Sequence, residues 1–232
     1  MATSSNKPDP RLISYQTLRK AVGWLGVLLP FSMLAGNYFL KGCTCIQDTI
    51  SNYVYTVTGS LFIGILCADA LFLIVYKGYD KRDALWTNAA GILALGIAFL
   101  PTNDDSADSC AIIHLPYSTT RNMVHYTCAA SFFLSLAYIS LFLFTKSTGV
   151  KTKQKIKRNR VYRVCGVTII IAIALIALYG LIHQAGSRLS RIKPIFWLET
   201  IALLAFGISW LVKGGLVLED EDNSSDKQGA KG

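Results

Sequence analysis

The sequence predicts an all-α fold, a polytopic membrane bundle of six transmembrane helices in a single domain. Of its 232 residues, 52% are apolar and only 16% are charged, whereas soluble domains carry about 25% charged residues. The apolar residues form six long blocks, and most charged residues lie between them. About 20 apolar residues in a helix cross the hydrocarbon layer of a membrane. The blocks lack the alternating pattern of β-barrel strands, so we expect helices.

The first three predicted helices span residues 21–40, 54–76 and 84–100. The first is uncharged and contains Pro30, which a transmembrane helix tolerates as a kink. No small-residue cleavage site follows it, so it is predicted to be a retained helix and not a signal peptide. The second contains one carboxylate, Asp69, and the third is stopped by Pro101.

The last three predicted helices span residues 123–145, 164–182 and 195–212. The fourth carries His125 near its start, and the fifth ends at His183. The sixth follows Pro194 and contains Glu199. The predicted domains are a cytoplasmic segment 1–20, a transmembrane domain 21–213 and a cytoplasmic tail 214–232. The acidic and polar composition of the tail indicates disorder.

The orientation follows from basic residues in the short connections. The connection between helices four and five has eight basic residues and no acidic one: Lys146, Lys151, Lys153, Lys155, Lys157, Arg158, Arg160 and Arg163. Residues 76–83 add three more. Both connections and both termini are therefore predicted to be cytoplasmic, in a bacterial inner membrane. We expect anionic lipid at the segment from Lys146 to Arg163, and no nucleic acid partner, because much of the +9 net charge lies in these connections.

Three cysteines lie in predicted outward loops, namely Cys43, Cys45 and Cys110. An outward loop faces an oxidising compartment, so a disulfide from Cys43 or Cys45 to Cys110 is expected. Because three cysteines is an odd number, such a bond leaves one of these three thiols unpaired. The alternative is three free thiols.

Ionisable residues are concentrated at the outer face. At about 1.5 Å per residue, His125 and Glu199 both lie about 5 Å below the outer surface, where they can meet. His183 lies at the rim of the same layer, and the loop above it carries Asp104, Asp105, Asp108 and His114. Because intramembrane ionisable groups are costly, this layer predicts either a ligand pocket or a structural pair. A divalent metal such as zinc is a further alternative, with His125, His183, Glu199 and one loop carboxylate as ligands.

A basic cluster in the last outward loop departs from the orientation rule, and it consists of Arg188, Arg191 and Lys193. One interpretation is attraction of an anionic group such as a lipid phosphate, worth about 1 kcal/mol per basic residue near an anionic surface. The other is that the rule is statistical and that three exposed bases are solvated.

Asp69 lies about 10 Å from the cytoplasmic end of helix two, at a depth comparable to that of Asn88 on helix three. A hydrogen bond between the two side chains would lock adjacent helices together. The functional alternative makes Asp69 a proton or cation site on a path through the bundle.

Several short motifs are distributed along the chain: ISNYVY at 50–55, GILC at 64–67, YKGY at 76–79, Asn88 with Gly91, HY at 125–126, RNR at 158–160 and FGISW at 206–210. This pattern resembles a family of uncharacterised bacterial six-helix membrane proteins with a domain of unknown function, which lies loosely near the DRAM and Sfk type. The resemblance covers about residues 51–213. It implies a six-helix membrane fold and says little about activity.

These features predict a membrane protein with a polar pocket open to the outer leaflet, which binds a lipid or a lipid-like anionic ligand. The predicted ligand-binding residues are His125, His183, Arg188, Arg191, Lys193 and Glu199. Three alternatives stay open: a metal-assisted lipid hydrolase at the outer interface, a small proton-coupled transporter that uses Asp69, and a structural or partner-binding membrane protein.

Overall fold

The computed structural model describes residues 10–78, 80–103, 110–147, 152–182 and 191–217, with side chains from residue 15 onward. Within these ranges the chain forms six α-helices and no strand. The helices are α1 (Pro10–Lys41), α2 (Gly59–Val75), α3 (Lys81–Phe99), α4 (Thr119–Tyr138), α5 (Lys153–Ile182) and α6 (Pro194–Lys213). A π-helical turn, Ile139–Leu143, extends α4, and a short 3-10 helix, Ser51–Tyr55, precedes α2. The predicted all-helical fold is confirmed.

Three helix starts differ most from the prediction. α1 begins at Pro10 and not at residue 21, and α5 begins at Lys153 and not at residue 164. The predicted bounds follow the apolar blocks alone, but Lys and Arg are good helix formers, so both helices continue beyond these blocks. Most of the basic connection after α4 is therefore the first turns of α5. α2 begins at Gly59, later than predicted, because the 3-10 helix and a turn occupy the start of its apolar block.

The six helices form a closed ring. Each helix packs against its neighbours in the sequence, and α1 closes the ring against α6. Glycines allow close approach at these contacts, since a Cβ atom on Gly207 would lie 2.6 Å from the carbonyl oxygen of Gly23. A Cβ atom on Gly91 of α3 would similarly lie 2.7 Å from the Ala70 carbonyl oxygen of α2. Large apolar side chains such as Trp210, which is fully buried, fill the interior.

Four of the helices, α1, α4, α5 and α6, are long and apolar enough to cross a membrane. α2 is apolar but has only 17 residues. At about 1.5 Å per residue it is about 25 Å long, against a hydrocarbon layer of about 30 Å. α3 starts with the charged residues Lys81, Arg82 and Asp83, which lower its apolar character. The described chain thus has the character of a membrane-embedded protein.

The two ends of the ring differ in chemistry. At one end, called here the disulfide end, α1 and α3 finish and Cys43 is bonded to Cys110. At the other, called the basic end, α1 begins beside the end of α6, with Arg19 Nη1 3.5 Å from the carbonyl oxygen of Lys213. At the disulfide end, α1, α3 and α5 finish and α2, α4 and α6 begin.

Lys146 ties two connections together at the basic end. Its ammonium lies 2.9 Å from Asp80 and 2.5 Å from Asp83. The hydrogen bond from Lys146 lowers the pKa of Asp80, which also caps α3 by accepting from the Arg82 and Asp83 amides. Burial lowers the pKa of Lys146, but the hydrogen bonds and charges of the two carboxylates outweigh this and raise it. Lys146, predicted to contact anionic lipid, is thus engaged by two carboxylates of the chain itself.

Candidate functional site

A re-entrant segment closes the disulfide end of the ring. Residues 42–58, called here the plug, connect α1 to α2 and fold into the mouth of the ring. Tyr53 is fully buried, and Tyr55 and Thr58 are almost so. The Ile112 amide donates to the carbonyl oxygen of Tyr55 at 2.8 Å. Within this connection, which the sequence places on the outward side, Gln47 and residues 50–53 are thus buried in the protein.

The disulfide holds the start of the plug to the segment after α3. The Cα atoms of Cys43 and Cys110 are 6.0 Å apart. Beside the bond, the Lys41 ammonium donates to the carbonyl oxygen of Cys110 at 3.1 Å. One of the two predicted pairings therefore forms, and Cys45 is an exposed free thiol.

His125 supports the plug from α4. Its buried ring places Nδ1 2.7 Å from the carbonyl oxygen of Leu100 and Nε2 3.1 Å from Ser51 Oγ. A carbonyl oxygen only accepts, so the assigned tautomer has Nδ1 donating to Leu100, while the Ser51 hydroxyl donates to Nε2. Both ring nitrogens are therefore used to join α3, α4 and the plug.

Glu199 supports the plug from α6. The amide of Ile50 donates to Glu199 Oε2 at 2.6 Å. Since Ile50 precedes Ser51 in the chain, Glu199 and His125 hold consecutive residues of the plug. The alternative of a direct hydrogen bond between His125 and Glu199 is not found: Glu199 accepts from the Ile50 amide, and the two ring nitrogens of His125 bond to Leu100 and Ser51.

A cavity of about 200 Å³ lies beside the plug at the disulfide end. It is bounded by the plug, the end of α3, the start of α4, the end of α5 and the start of α6. Its lining consists of Asp48, Thr49, Asn52, Thr102, Asn103, Tyr126, Tyr179, Lys193, Pro194 and Ile195. Pockets for drug-sized ligands measure roughly 300 to 1,000 Å³. This cavity therefore fits a small polar group and not a whole drug-sized molecule.

An ion pair lies in the cavity wall, with Lys193 Nζ 2.7 Å from Asp48 Oδ1. Lys193 is the N-cap of α6 and has φ 52° and ψ 57°, a left-handed conformation that costs a non-glycine residue about 1 kcal/mol. In the next turn, the Phe196 amide donates to the carbonyl oxygen of Asp48 at 3.1 Å. The plug thus fixes the first turn of α6 and orients the Lys193 ammonium.

The predicted basic cluster is only partly described. Lys193 lines the cavity and forms an ion pair with Asp48. Arg191 is exposed and does not line the cavity. Arg188 and His183 lie outside the described residues.

Asn103 brings an unused hydrogen-bond donor to the cavity wall. Its Oδ1 accepts from the Ser118 amide and from Arg121 Nη2, both at 3.0 Å, which fixes the orientation of the side-chain amide. Its Nδ2 is buried and has no hydrogen-bond partner. Buried donors are nearly always satisfied. The position of Asn103 therefore calls for an acceptor that the described chain does not supply.

Sequence reasoning missed the uncharged polar members of this wall, which are Thr49, Asn52, Thr102, Asn103, Tyr126 and Tyr179. Such residues are common in loops and at helix ends, so none of them stands out singly. The sequence of the plug could have indicated its burial, because residues 49–58 contain no charged residue and include two tyrosines. An uncharged aromatic connection is better suited to burial than to solvent.

Within the described residues, no three His, Cys, Asp or Glu side chains come together as a metal site. Asp104, Asp105 and Asp108 lie outside the described residues, and His114 is exposed. Both ring nitrogens of His125 already have partners in the protein. The zinc alternative stays a prediction.

Asp69 and Asn88 do not form the predicted lock. With its amide oriented to satisfy the surrounding acceptors, Asn88 donates to the carbonyl oxygen of Ile74 at 2.9 Å. α3 is thereby bonded to the backbone of α2 and not to a side chain. Asp69 is 3% exposed, and its Oδ1 has no hydrogen-bond partner.

Comparisons with protein-family models, with curated proteins and with solved structures find no match for this chain. The family resemblance drawn from the sequence motifs therefore stays a prediction. The function has to be argued from the cavity, the plug and the charges at the two ends.

Proposed function

We propose that the chain is a six-span membrane protein that binds the head group of a lipid or lipid-like amphiphile in the cavity at the disulfide end. Two features support an outward-facing disulfide end. Basic connections favour the cytoplasmic side, and they lie at the opposite end of the ring. Disulfides form in oxidising compartments, and the Cys43–Cys110 bond lies at this end. A bacterial inner membrane meets both conditions.

The plug explains how the short helix α2 can belong to a six-span bundle. Irregular backbone is tolerated at membrane depth where it is buried in protein. The plug meets this condition, because Tyr53 and Ile50 are buried and the Ile50 amide is bonded to Glu199. α2 alone is shorter than the hydrocarbon layer, and α2 together with the plug is long enough to cross it.

The charges in the cavity wall favour a head group that carries both signs. Asp48 accepts hydrogen bonds, Lys193 donates them, and Asn103 Nδ2 has no acceptor within the described chain. A phosphate oxygen fits Lys193 and Asn103, and an amine fits Asp48. A zwitterionic head group therefore matches the wall better than the purely anionic ligand expected from the sequence.

The hydrocarbon tails of such a ligand have apolar surface beside the cavity. After Ala172, few side chains of α5 are buried against the other helices. Leu178, Leu181 and Ile182 are all more than half exposed. Tyr126 of α4 lines the cavity and is 53% exposed. A head group in the cavity would therefore leave its tails on the lipid-facing surfaces of α4 and α5.

The binding test uses protein purified from membranes in detergent, with dioctanoyl phosphatidylethanolamine and dioctanoyl phosphatidylglycerol as probes. Lys193→Gln removes the ammonium in the wall, and Arg191→Gln removes the same charge from an exposed position two residues away. A lost charge-assisted contact of about 1.5 kcal/mol weakens binding about tenfold. We expect this loss in K193Q and less than a twofold change in R191Q. Equal affinity in the two variants, or no binding of either probe, would contradict the proposal.

The six-span topology is tested separately by labelling. Tyr117 is 73% exposed on the connection between α3 and α4. Tyr117→Cys, made in a chain in which Cys45 is replaced by Ser, is expected to react with a membrane-impermeant maleimide from outside intact cells. A reporter fused to either terminus is expected to be active only in the cytoplasm. Labelling only after the cells are opened would refute the orientation.

Asp69 keeps the proton-coupled transporter as a second candidate. A carboxyl group that is nearly fully buried and has an oxygen without a hydrogen-bond partner is a candidate proton site. Reconstituted vesicles with a pH gradient would test it. Asp69→Asn should abolish proton flux if this function holds, and flux that is equal in the two proteins would exclude it.

A further inference from the structure

An exposed apolar segment lies at the disulfide end, in the connection between α3 and α4. Residues 112–117, called here the apolar loop, are all exposed. Ile112, Ile113 and Leu115 are 53%, 51% and 42% exposed, and Tyr117 is 73% exposed. Single apolar residues are ordinary on a protein surface. A run of them marks a surface that meets another molecule or a membrane.

The apolar loop turns backbone polar groups towards the protein. The amides of Ile112 and Ile113 both donate to the carbonyl oxygen of Tyr55 in the plug, at 2.8 and 3.2 Å. Pro116 has no amide proton, and its carbonyl oxygen accepts from Arg121 Nη2 at 2.9 Å. These backbone groups are therefore satisfied within the protein and do not require water, while the apolar side chains point outward.

Both ends of the apolar loop are fixed to the fold. Before it, Cys110 is bonded to Cys43, and the Cys110 carbonyl oxygen accepts from the Lys41 ammonium at 3.1 Å. After it, the Ser118 amide donates to Asn103 Oδ1 at 3.0 Å. A segment that is held at both ends and through its amides keeps its apolar side chains outward. Their exposure is therefore a property of the fold.

The composition of this segment favours a lipid surface over water or a soluble partner. Residues 110–120 contain no Lys, Arg, Asp or Glu. Surfaces that face water are usually rich in these residues, and interfaces between soluble proteins have a polar rim. Aliphatic side chains beside a tyrosine are typical of the boundary between lipid tails and head groups.

The apolar loop also continues the outer surfaces of two apolar helices. It follows the contact of Cys110 with the end of α1, where Phe39 and Leu40 are 80% and 70% exposed. It leads into α4, whose first turns expose 65% of Met123. Both helices are long and apolar enough to cross a membrane. The loop therefore lies at the level where these helices leave the hydrocarbon layer.

We propose that the apolar loop is embedded in the lipid surface at the disulfide end, with its aliphatic side chains at the upper ends of the lipid tails. Irregular backbone is not exposed to lipid within the hydrocarbon core, so the loop lies at the boundary of this core. Tyr117 lies among the head groups, where a cysteine in its place remains within reach of water-soluble reagents. The occupant of this surface is the bilayer and not a second protein chain.

This inference rests on the membrane embedding of the proposed function but not on its orientation or its ligand. It also gives the cavity a depth. Asn103 lines the cavity and is bonded to Ser118, the residue directly after the apolar loop. An embedded loop therefore holds the cavity close to the level of the head groups.

The experiment measures the depth of a nitroxide spin label on the full chain, reconstituted in phosphatidylcholine vesicles. Oxygen concentrates in lipid and a nickel chelate stays in water, so the ratio of the label's accessibility to the two reagents reports its depth. Single cysteines are introduced into a chain that keeps the Cys43–Cys110 bond. Its free cysteines are replaced by Ala, namely Cys45, Cys67, Cys128 and Cys165.

Three positions are compared. Ile113→Cys is the test position. Arg191→Cys is the water control, since Arg191 is an exposed charged residue at the same end. Leu178→Cys is the lipid control, because Leu178 on α5 is 51% exposed, as Ile113 is. We expect the ratio of oxygen to nickel accessibility in I113C to be severalfold higher than in R191C and close to that in L178C.

Two results would overturn the proposal. Equal ratios in I113C and R191C would show that the apolar loop lies in water. Low accessibility of the I113C label to both reagents would show that protein covers the loop, either a second copy or another chain. Leu115→Cys, at a position that is 42% exposed, repeats the measurement and guards against a disturbance confined to position 113.

Further comparisons separate this inference from the proposed function. Lys193→Gln should leave the ratio in I113C unchanged, because Lys193 belongs to the cavity. A preference for the nickel chelate in I113C but not in L178C would refute the embedded loop and leave the head-group site standing. The same preference in L178C as well would refute the membrane embedding on which both proposals depend.

Discussion

The strongest structural prediction concerns His125, which holds the plug. His125→Ala removes the donor to the Leu100 carbonyl oxygen and the acceptor of the Ser51 hydroxyl, at 2.7 and 3.1 Å. Two hydrogen bonds at about 1 kcal/mol each give about 2 kcal/mol. The ring is 2% exposed, so the space that it leaves costs about 1 to 2 kcal/mol more. The expected loss in the free energy of unfolding is about 3 to 4 kcal/mol.

The assay is a denaturant titration in detergent, followed by tryptophan fluorescence. His114→Ala is the matched control, since His114 is exposed and exposed substitutions usually change stability by less than about 0.5 kcal/mol. His125→Asn should show an intermediate loss, because its amide can still donate to Leu100. If His125→Ala and His114→Ala were equally stable, the plug would not depend on His125, and the reasoning would fail.

Three further predictions concern the disulfide, the basic end and the helix contact at Gly207. Cys43→Ser opens a covalent loop with a sequence separation of 67, which the chain-entropy relation values at up to about 4 kcal/mol; Cys45→Ser, which changes a free thiol, should leave the denaturation midpoint unchanged. The pKa of Asp80 is lowered in the folded protein. The ionised carboxylate therefore stabilises the fold at pH values above about 4, the ordinary pKa of an aspartate, and this stabilisation is lost as the pH falls through the lowered pKa. Lys146→Gln should therefore flatten the acid limb of a plot of melting temperature against pH, and an unchanged limb would argue against the pair. Gly207→Ala should cost about 1 to 3 kcal/mol of unfolding free energy in the same titration, because its Cβ atom would clash with the α1 backbone.

The helices were predictable because apolar blocks of membrane length have few other folds open to them. Their ends were not, because hydrophobicity marks where a helix enters lipid and not where hydrogen bonding stops. α5 illustrates this, since Lys153 to Arg163 continue the helix beyond its apolar block. For α2 the prediction errs in the opposite direction: Val54 and Tyr55 are apolar and were assigned to the helix, but they belong to a 3-10 helix that precedes it.

The candidate site was predictable in part. The sequence places His125 and Glu199 at the same end as Cys43 and Cys110, and the structure has them there. Which cysteine pairs with Cys110 was open, because Cys43 and Cys45 are only two residues apart, and the path of the plug decides it. The cavity wall could not be foreseen, since it depends on how the plug packs.

The plug also changes which residues are candidates for function. A buried segment of irregular backbone needs partners for its amides and hydroxyls, and Glu199 and His125 provide them to Ile50 and Ser51. Holding the plug is therefore a structural role for Glu199 and His125, and it accounts for the presence of two ionisable side chains in an apolar bundle. Groups of the cavity wall have no comparable explanation, because the Asn103 donor has no acceptor within the described chain and Lys193 adopts a left-handed conformation beside Asp48. The strained backbone of Lys193 and the unused donor of Asn103 therefore indicate a ligand at this wall more strongly than the buried ionisable residues do.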